Sequence, residues 1–312
     1  AIRRPVASAR RIDQAISRCL SHERAAPRGG PGRGEAGLKR SLLYQIGDPD
    51  GTQFEPLREQ ILLAEELGLH AIWCLPSLGD EGAFCESAPE VWLSALASCT
   101  RRIRLGWGVA RMLPPEQPPM RVAEQGATLD LTCHGRLDIV CLPDGDLPRE
   151  RDEPREGWEE GFRMLVDMWD RPAFSWSSAR FDVTPVDVLP KPVQKPHPPI
   201  WLAGWTLDHA AAAGVAGLGF LDVSGTGDAG LEGHREAYLD ARASADVHDL
   251  VCESAFAAAL DLPCDEEGVQ RLAGWESMGI DQAVLRAGPL EGGHDEALRR
   301  IRLLASEDAR VH

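Results

Sequence analysis

Along this chain short apolar, β-favouring runs alternate with stretches whose apolar residues recur every three or four positions. That alternation is the signature of strand–helix units feeding a parallel sheet. Residues 41–46 (SLLYQI) read as a first strand. Residues 54–67 read as the helix behind it, with Leu57, Ile61, Ala64 and Leu67 on one face and Gly68 as its stop. Further strands are expected at 70–75, 103–109, 136–142, 200–203, 219–223, 250–258 and 282–286. Helices are expected at 89–99, 120–131, 158–169, 207–215, 231–243, 266–278 and 295–305. Eight strand candidates alternating with eight helix candidates predict an α/β protein, a (β/α)8 TIM barrel, with an open doubly wound sheet as the alternative. Residues 172–199 carry Pro172, Pro185, Pro190, Pro192, Pro196, Pro198 and Pro199. The stretch is too long for an ordinary connection and predicts an insertion or lid before the fifth strand.

Composition changes this picture at one end only. The 312 residues, 43% hydrophobic, suffice for one barrel core. Residues 1–40 hold ten Lys or Arg against three Asp or Glu, so the formal net charge of −16 becomes about −23 for residues 41–312. The basic leader has no apolar core of the signal-peptide kind and reads as a disordered extension, an RNA- or partner-binding arm being the alternative. The acidic body argues against nucleic acid or an anionic membrane as partner. No apolar run is long enough to span a bilayer. The eight cysteines show no CxxC pair and no zinc spacing, so no metal is expected, and they read as reduced thiols of a cytoplasmic protein.

In a barrel, function sits at the C-terminal ends of the strands. That filter sets aside His70, His134 and His197, which precede strands, and keeps the rim positions. Gln45, Trp201 and Trp205 are assigned to a substrate pocket. Together with Trp73 and Trp107 the rim tryptophans suit a planar ligand such as an isoalloxazine ring, or else simply pack core and lid. Gly204 and Thr206 open a helix and read either as an anion site or as a plain N-cap. Arg111 ends the third strand and reads as a phosphate or carboxylate ligand, or as a surface ion pair. Asp80, Glu81, Asp144 and Asp146 lie in loops after strands two and four, where paired carboxylates can do acid–base work, though solvated loop acids are commoner.

Several ordered motifs carry a family resemblance. The run ESAPEVWLSALASCTRRIRLGWGVARMLPPEQPPMRVAEQGATLDLTCHGR contains A-x-x-T, RIxLG, a proline-bearing loop, R-x-AE, LD and GR in sequence. AEELGLHAIW precedes it, and EGWEEGFRMLVDMW and VQKPHPPIWLAGWTLDHAAAAGVAG follow. This stretch, about residues 41–220, resembles the bacterial luciferase-like flavin-dependent monooxygenases. The resemblance implies a barrel that dimerises through its outer helices and binds reduced FMN or a deazaflavin, with a flavin reductase as partner and a small organic molecule as substrate. It places Arg121 and Glu124 near the flavin, Gly204 and Thr206 at its phosphate, and Trp73 and Trp107 on the pocket wall.

Two motifs depart from the family pattern. Where many members carry Glu-His-His after the second strand, this chain reads Pro76-Ser77-Leu78, and the glycine-rich end of the fourth strand reads Val140-Cys141-Leu142-Pro143. The catalytic group is therefore unassigned. Two alternatives stand beside the monooxygenase: a barrel without cofactor acting as a cyclase or lyase, and a non-catalytic ligand-binding subunit.

Overall fold

The computed structural model describes residues 37–45, 54–76, 88–110, 112, 117–142, 157–245, 255–260, 266–287 and 293–306. Strands and helices run in the order β1 (Lys39–Gln45), α1 (Phe54–Glu66), β2 (Ala71–Leu75), α2 (Pro89–Cys99), β3 (Arg104–Ala110), α3 (Pro119–Thr132), β4 (Leu137–Leu142) and α4 (Gly157–Asp170). They continue as β5 (Phe174–Ser177), β6 (Asp182–Val186), β7 (Ile200–Gly204), α5 (Leu207–Ala216), β8 (Gly219–Asp222), α6 (Asp228–Ala243), β9 (Phe256–Leu260), α7 (Glu266–Ser277), β10 (Gln282–Arg286) and α8 (Gly293–Ala305). Eight strands close in the order β1-β10-β9-β8-β7-β4-β3-β2, which is the expected barrel. Among the described residues no helix is long and apolar enough to cross a membrane.

Three details differ from the sequence expectation. β1 begins at Lys39, inside the stretch read as an extension, because Arg40 is buried and its guanidinium donates to the carbonyls of Leu304 and Ser306 at 3.0 and 3.1 Å. β9 lies at Phe256–Leu260 rather than 250–258, whose first five residues fall outside the described ones. The proline-rich stretch holds an antiparallel pair, β5 with β6. Its strands are too short and too exposed to announce themselves by alternation.

The chain divides into two compact units, one made of residues 42–201 and 287–298, the other of residues 1–41, 202–286 and 299–312. In the first, β2, β3 and β4 pair in parallel with Trp73 opposite Gly106 and Gly106 opposite Asp138. Its base is a buried polar network built on Arg136. That guanidinium donates to the carbonyls of Ala97, Thr100, Ile103 and Cys133 and to the Thr100 hydroxyl, at 2.7–3.3 Å. Beside it Asp130, fully buried, accepts from the backbone N–H and side-chain amide of Gln194 at 2.9 and 2.7 Å. The LD, GR, A-x-x-T and Q-x-P motifs thus hold the N-terminal ends of the strands together.

In the second unit Phe220, Phe256 and Tyr238 cluster with ring centroids 5.5–6.4 Å apart between strands and α6. Because a strand alternates its sides, Phe256 facing the helices turns Ala257 and Ala259 to the inside. The register Gln282 to Ala257 and Val284 to Ala259 then puts Gln282, Val284 and Arg286 on the inner face. Gln282 meets Ser41 there at 2.6 Å.

Candidate functional site

In the unit that holds β2–β4, the inner wall is aromatic. Trp73 on β2 and Trp201 on β7 meet edge to face with ring centroids 5.2 Å apart. Trp73 is 1% exposed and Trp201 7%, and neither indole N–H has an acceptor among the described residues. The sequence makes room for this: a Cβ on Gly106 would stand 2.3 Å from the Trp73 ring, so only glycine fits. Gly108, two residues on, takes the end of β2, where a Cβ would lie 2.8 Å from the Cys74 carbonyl, Leu75 and Pro76. The glycines of the RLGWG run are therefore seats for β2.

Trp107 points the other way. Its position alternates with Gly106, and its ring lies near α3, where a Cβ on Gly126 would be 3.4 Å away. Trp169 of α4 covers the same glycine and donates to the Ala123 carbonyl at 3.0 Å. Arg121 and Glu124 form an exposed pair one helical turn apart, 3.1 Å between their charged atoms, with side chains 65% and 39% exposed. Among the described residues, this ion pair is the one side-chain contact between these two charges. Arg111, the side chain of Gln45 and the loop acids Asp80, Glu81, Asp144 and Asp146 lie outside the described residues.

In the other unit β7 passes into α5 through Gly204-Trp205-Thr206. Thr206 caps the helix, its hydroxyl accepting from the His209 N–H at 3.2 Å. The remaining first-turn N–H groups have no helical partner by construction. Trp205 lies half-buried over His209, edge to face at 4.9 Å. Gly204 is forced by packing, since a Cβ there would stand 2.6 Å from His209 and 2.8 Å from Phe220.

Past β8, Asp222 is buried and shares its two oxygens. One accepts from the Ser224 N–H and hydroxyl at 2.8 and 2.6 Å, and the other meets Nδ1 of His234 at 2.6 Å. His234 escaped the rim filter because it belongs to α6. Its spacing three residues after Leu231 and four before Tyr238, on the buried face, was the available signal. At the end of β10, Arg286 donates to the Val223 carbonyl at 2.8 Å.

Buried thiols lie on the helix side of the wall. Burial pushes both Cys74 and Cys141 up to about 12, so neither offers a thiolate at neutral pH.

Comparison with known proteins agrees with this architecture. A stretch of 161 residues is 28% identical to the oxygenase component of the flavin-dependent trigonelline monooxygenase of Acinetobacter baylyi, covering 48% of this chain and 43% of that protein. Over 221 residues the chain is 27% identical to the N-acetyl-S-alkylcysteine monooxygenase of Bacillus subtilis, covering 68% of this chain and 63% of that protein. The chain thus spans less than two thirds of the length of these relatives. The crystal structure of monooxygenase RslO1 from Streptomyces bottropensis superposes with a TM-score of 0.73 at 23% identity, over 86% of this chain and 98% of that one, which shows the shared fold. The sequence profile of the luciferase-like monooxygenases matches residues 38–275. With its closed barrel and this match over most of its length, the chain belongs to the luciferase-like monooxygenase family.

Proposed function

We propose that this chain is the oxygenase of a two-component system, taking reduced FMN from a separate flavin reductase and oxidising a small organic substrate; a reduced deazaflavin is the alternative cofactor. The observation that carries the reading is the pair of buried indole N–H groups on Trp73 and Trp201, which lack acceptors among the described residues. A buried donor left unpaired costs about 1–3 kcal/mol, and a planar, acceptor-rich group against this wall fits the residues present. When bound, the reduced flavin supplies the oxygen chemistry.

The chain's own residues are assigned as follows. Trp73 and Trp201 form a wall that excludes water and orients a flat ring. Gln45 and Trp205 belong to the substrate pocket. Gly204 and Thr206 are assigned to the phosphate, through the hydroxyl and the free N–H groups that begin α5. Arg121, Glu124 and Trp107 are kept in supporting roles around the cofactor. Self-association is assigned to the outer face of α1 and α2, where Val91 is 66% exposed and Phe54, 41% exposed, packs on Trp92 at 5.6 Å. Residues 172–199 are assigned to a lid, and the compartment to the cytoplasm.

A titration of the full chain with reduced FMN under anaerobic conditions tests the reading. Binding in the micromolar range is expected, weakened about tenfold by Thr206→Ala, which also removes a cap worth about 1 kcal/mol of stability. No binding of reduced FMN or of the reduced deazaflavin sinks it and leaves the cofactor-free barrel.

A further inference from the structure

We propose that Arg286 anchors an acidic group of the organic substrate, so that the substrates of this chain are small carboxylates or related oxyanions. This names the substrate class of the monooxygenase reading and rests on it.

Among the last residues of the eight barrel strands, Arg286 is the one cation, in a chain with 49 acidic and 33 basic residues. The strand register turns it inward, in line with Gln282 and Val284, at the end of the barrel where ligands are taken up. It is half-buried, and its neighbour β9 presents only Ala257 and Ala259 on the inner face, so that strand sets no bulky side chain against the guanidinium stem. One N–H donates to the Val223 carbonyl at 2.8 Å, and that carbonyl is itself held in place because the Val223 N–H is bonded to the Gly204 carbonyl at 2.9 Å. Such a contact aims the group and leaves its other donors uncommitted, since a guanidinium carries five.

The nearest carboxylate in sequence, Asp222 beside Val223, is spent. It sits on the helix side of β8, with both oxygens engaged by Ser224 and His234. No carboxylate among the described residues pairs with Arg286. A half-buried, oriented and unpaired guanidinium is costly as structure and well suited to bidentate capture of an oxyanion. The hydroxyls of Ser224 and Thr226, 2.8 Å apart just beyond Val223, add neutral polar groups to the same strand end.

The test compares wild type, Arg286→Gln and Arg286→Lys by calorimetry. Three matched probe pairs are used: benzoate and benzamide, nicotinate and nicotinamide, hexanoate and hexanamide. Reduced FMN and reduced riboflavin are titrated separately. Wild type is expected to prefer at least one acid over its amide about tenfold, Arg286→Gln to lose the preference, and Arg286→Lys to keep part of it as a point charge. FMN and riboflavin affinities are expected to be unchanged. Absence of any acid preference in wild type, or a preference that survives Arg286→Gln, overturns the proposal. So does a variant that binds FMN about tenfold more weakly with riboflavin unaffected, because the oxyanion held is then the cofactor's phosphate. If wild type binds no flavin yet keeps an Arg286-dependent acid preference, the cofactor reading fails and the anchor stands.

Discussion

At the scale of single residues, the polar groups that matter most to stability lie at the base of the barrel. Burial pushes the Glu65 carboxyl up, but the backbone N–H groups of Arg102, Arg101 and Ile103, and the charge of Arg136, outweigh it and hold the group below its usual range. The N–H contacts measure 2.6, 2.7 and 3.1 Å. A carboxyl with a lowered native value stabilises the fold fully above its unfolded value, near 4.3, and loses that contribution as pH falls through the native value. Thermal melts of Glu65→Gln are therefore expected to show a shallower fall in Tm between about pH 5 and pH 3 than wild type; equal slopes refute the assignment. Arg136 is expected to tolerate no substitute. Arg136→Lys keeps one charge but cannot reach four carbonyls, and urea unfolding is expected to report a loss of about 3 kcal/mol or more. The cysteines supply a further check. With alkylating reagent at neutral pH, peptide mapping is expected to find Cys99, which is partly exposed, labelled before unfolding, and Cys74 and Cys141 only after it.

At the scale of elements, β3 shows how a strand can be shaped for its neighbour. Its inward positions Gly106 and Gly108 have no side chain because Trp73 and the end of β2 fill their space. Gly106→Ala forces a contact of 2.3 Å against the indole, and overpacking of this kind costs about 1–3 kcal/mol. Replacing the indole as well, in Gly106→Ala with Trp73→Leu, is expected to cost less than the sum of the two single changes in urea titrations, because the two positions share one space. Strict additivity argues that Trp73 moves aside freely. The seat of β2 was not legible from the sequence: RLGWG announces a strand, yet which of its residues face inward depends on pairing with Trp73 and Asp138. Trp107 makes the same point. It neighbours the rim in sequence, and alternation turns its ring toward Gly126 and Trp169.

At the scale of the whole molecule, the periodicity of the chain contains the barrel. Hydrophobic spacing, the glycine stops and prolines at helix starts such as Pro89 and Pro119 mark nearly every element, since each is a local consequence of backbone geometry. The ordered motifs carry the family, and much of their content proves structural: Asp130, Arg136 and Gln194 tie strand ends together and act at no rim. The linear pattern of residues therefore suffices for the order of strands and helices, the closed architecture and the family. Which polar groups go without partners is settled by folding alone. The N–H groups of Trp73 and Trp201 and the guanidinium of Arg286, which find respectively no acceptor and no carboxylate partner among the described residues, and the engagement of Asp222 with His234, each depend on residues far apart in the chain. Hydrogen-bond satisfaction is a property of three-dimensional neighbours, and no local spacing encodes it.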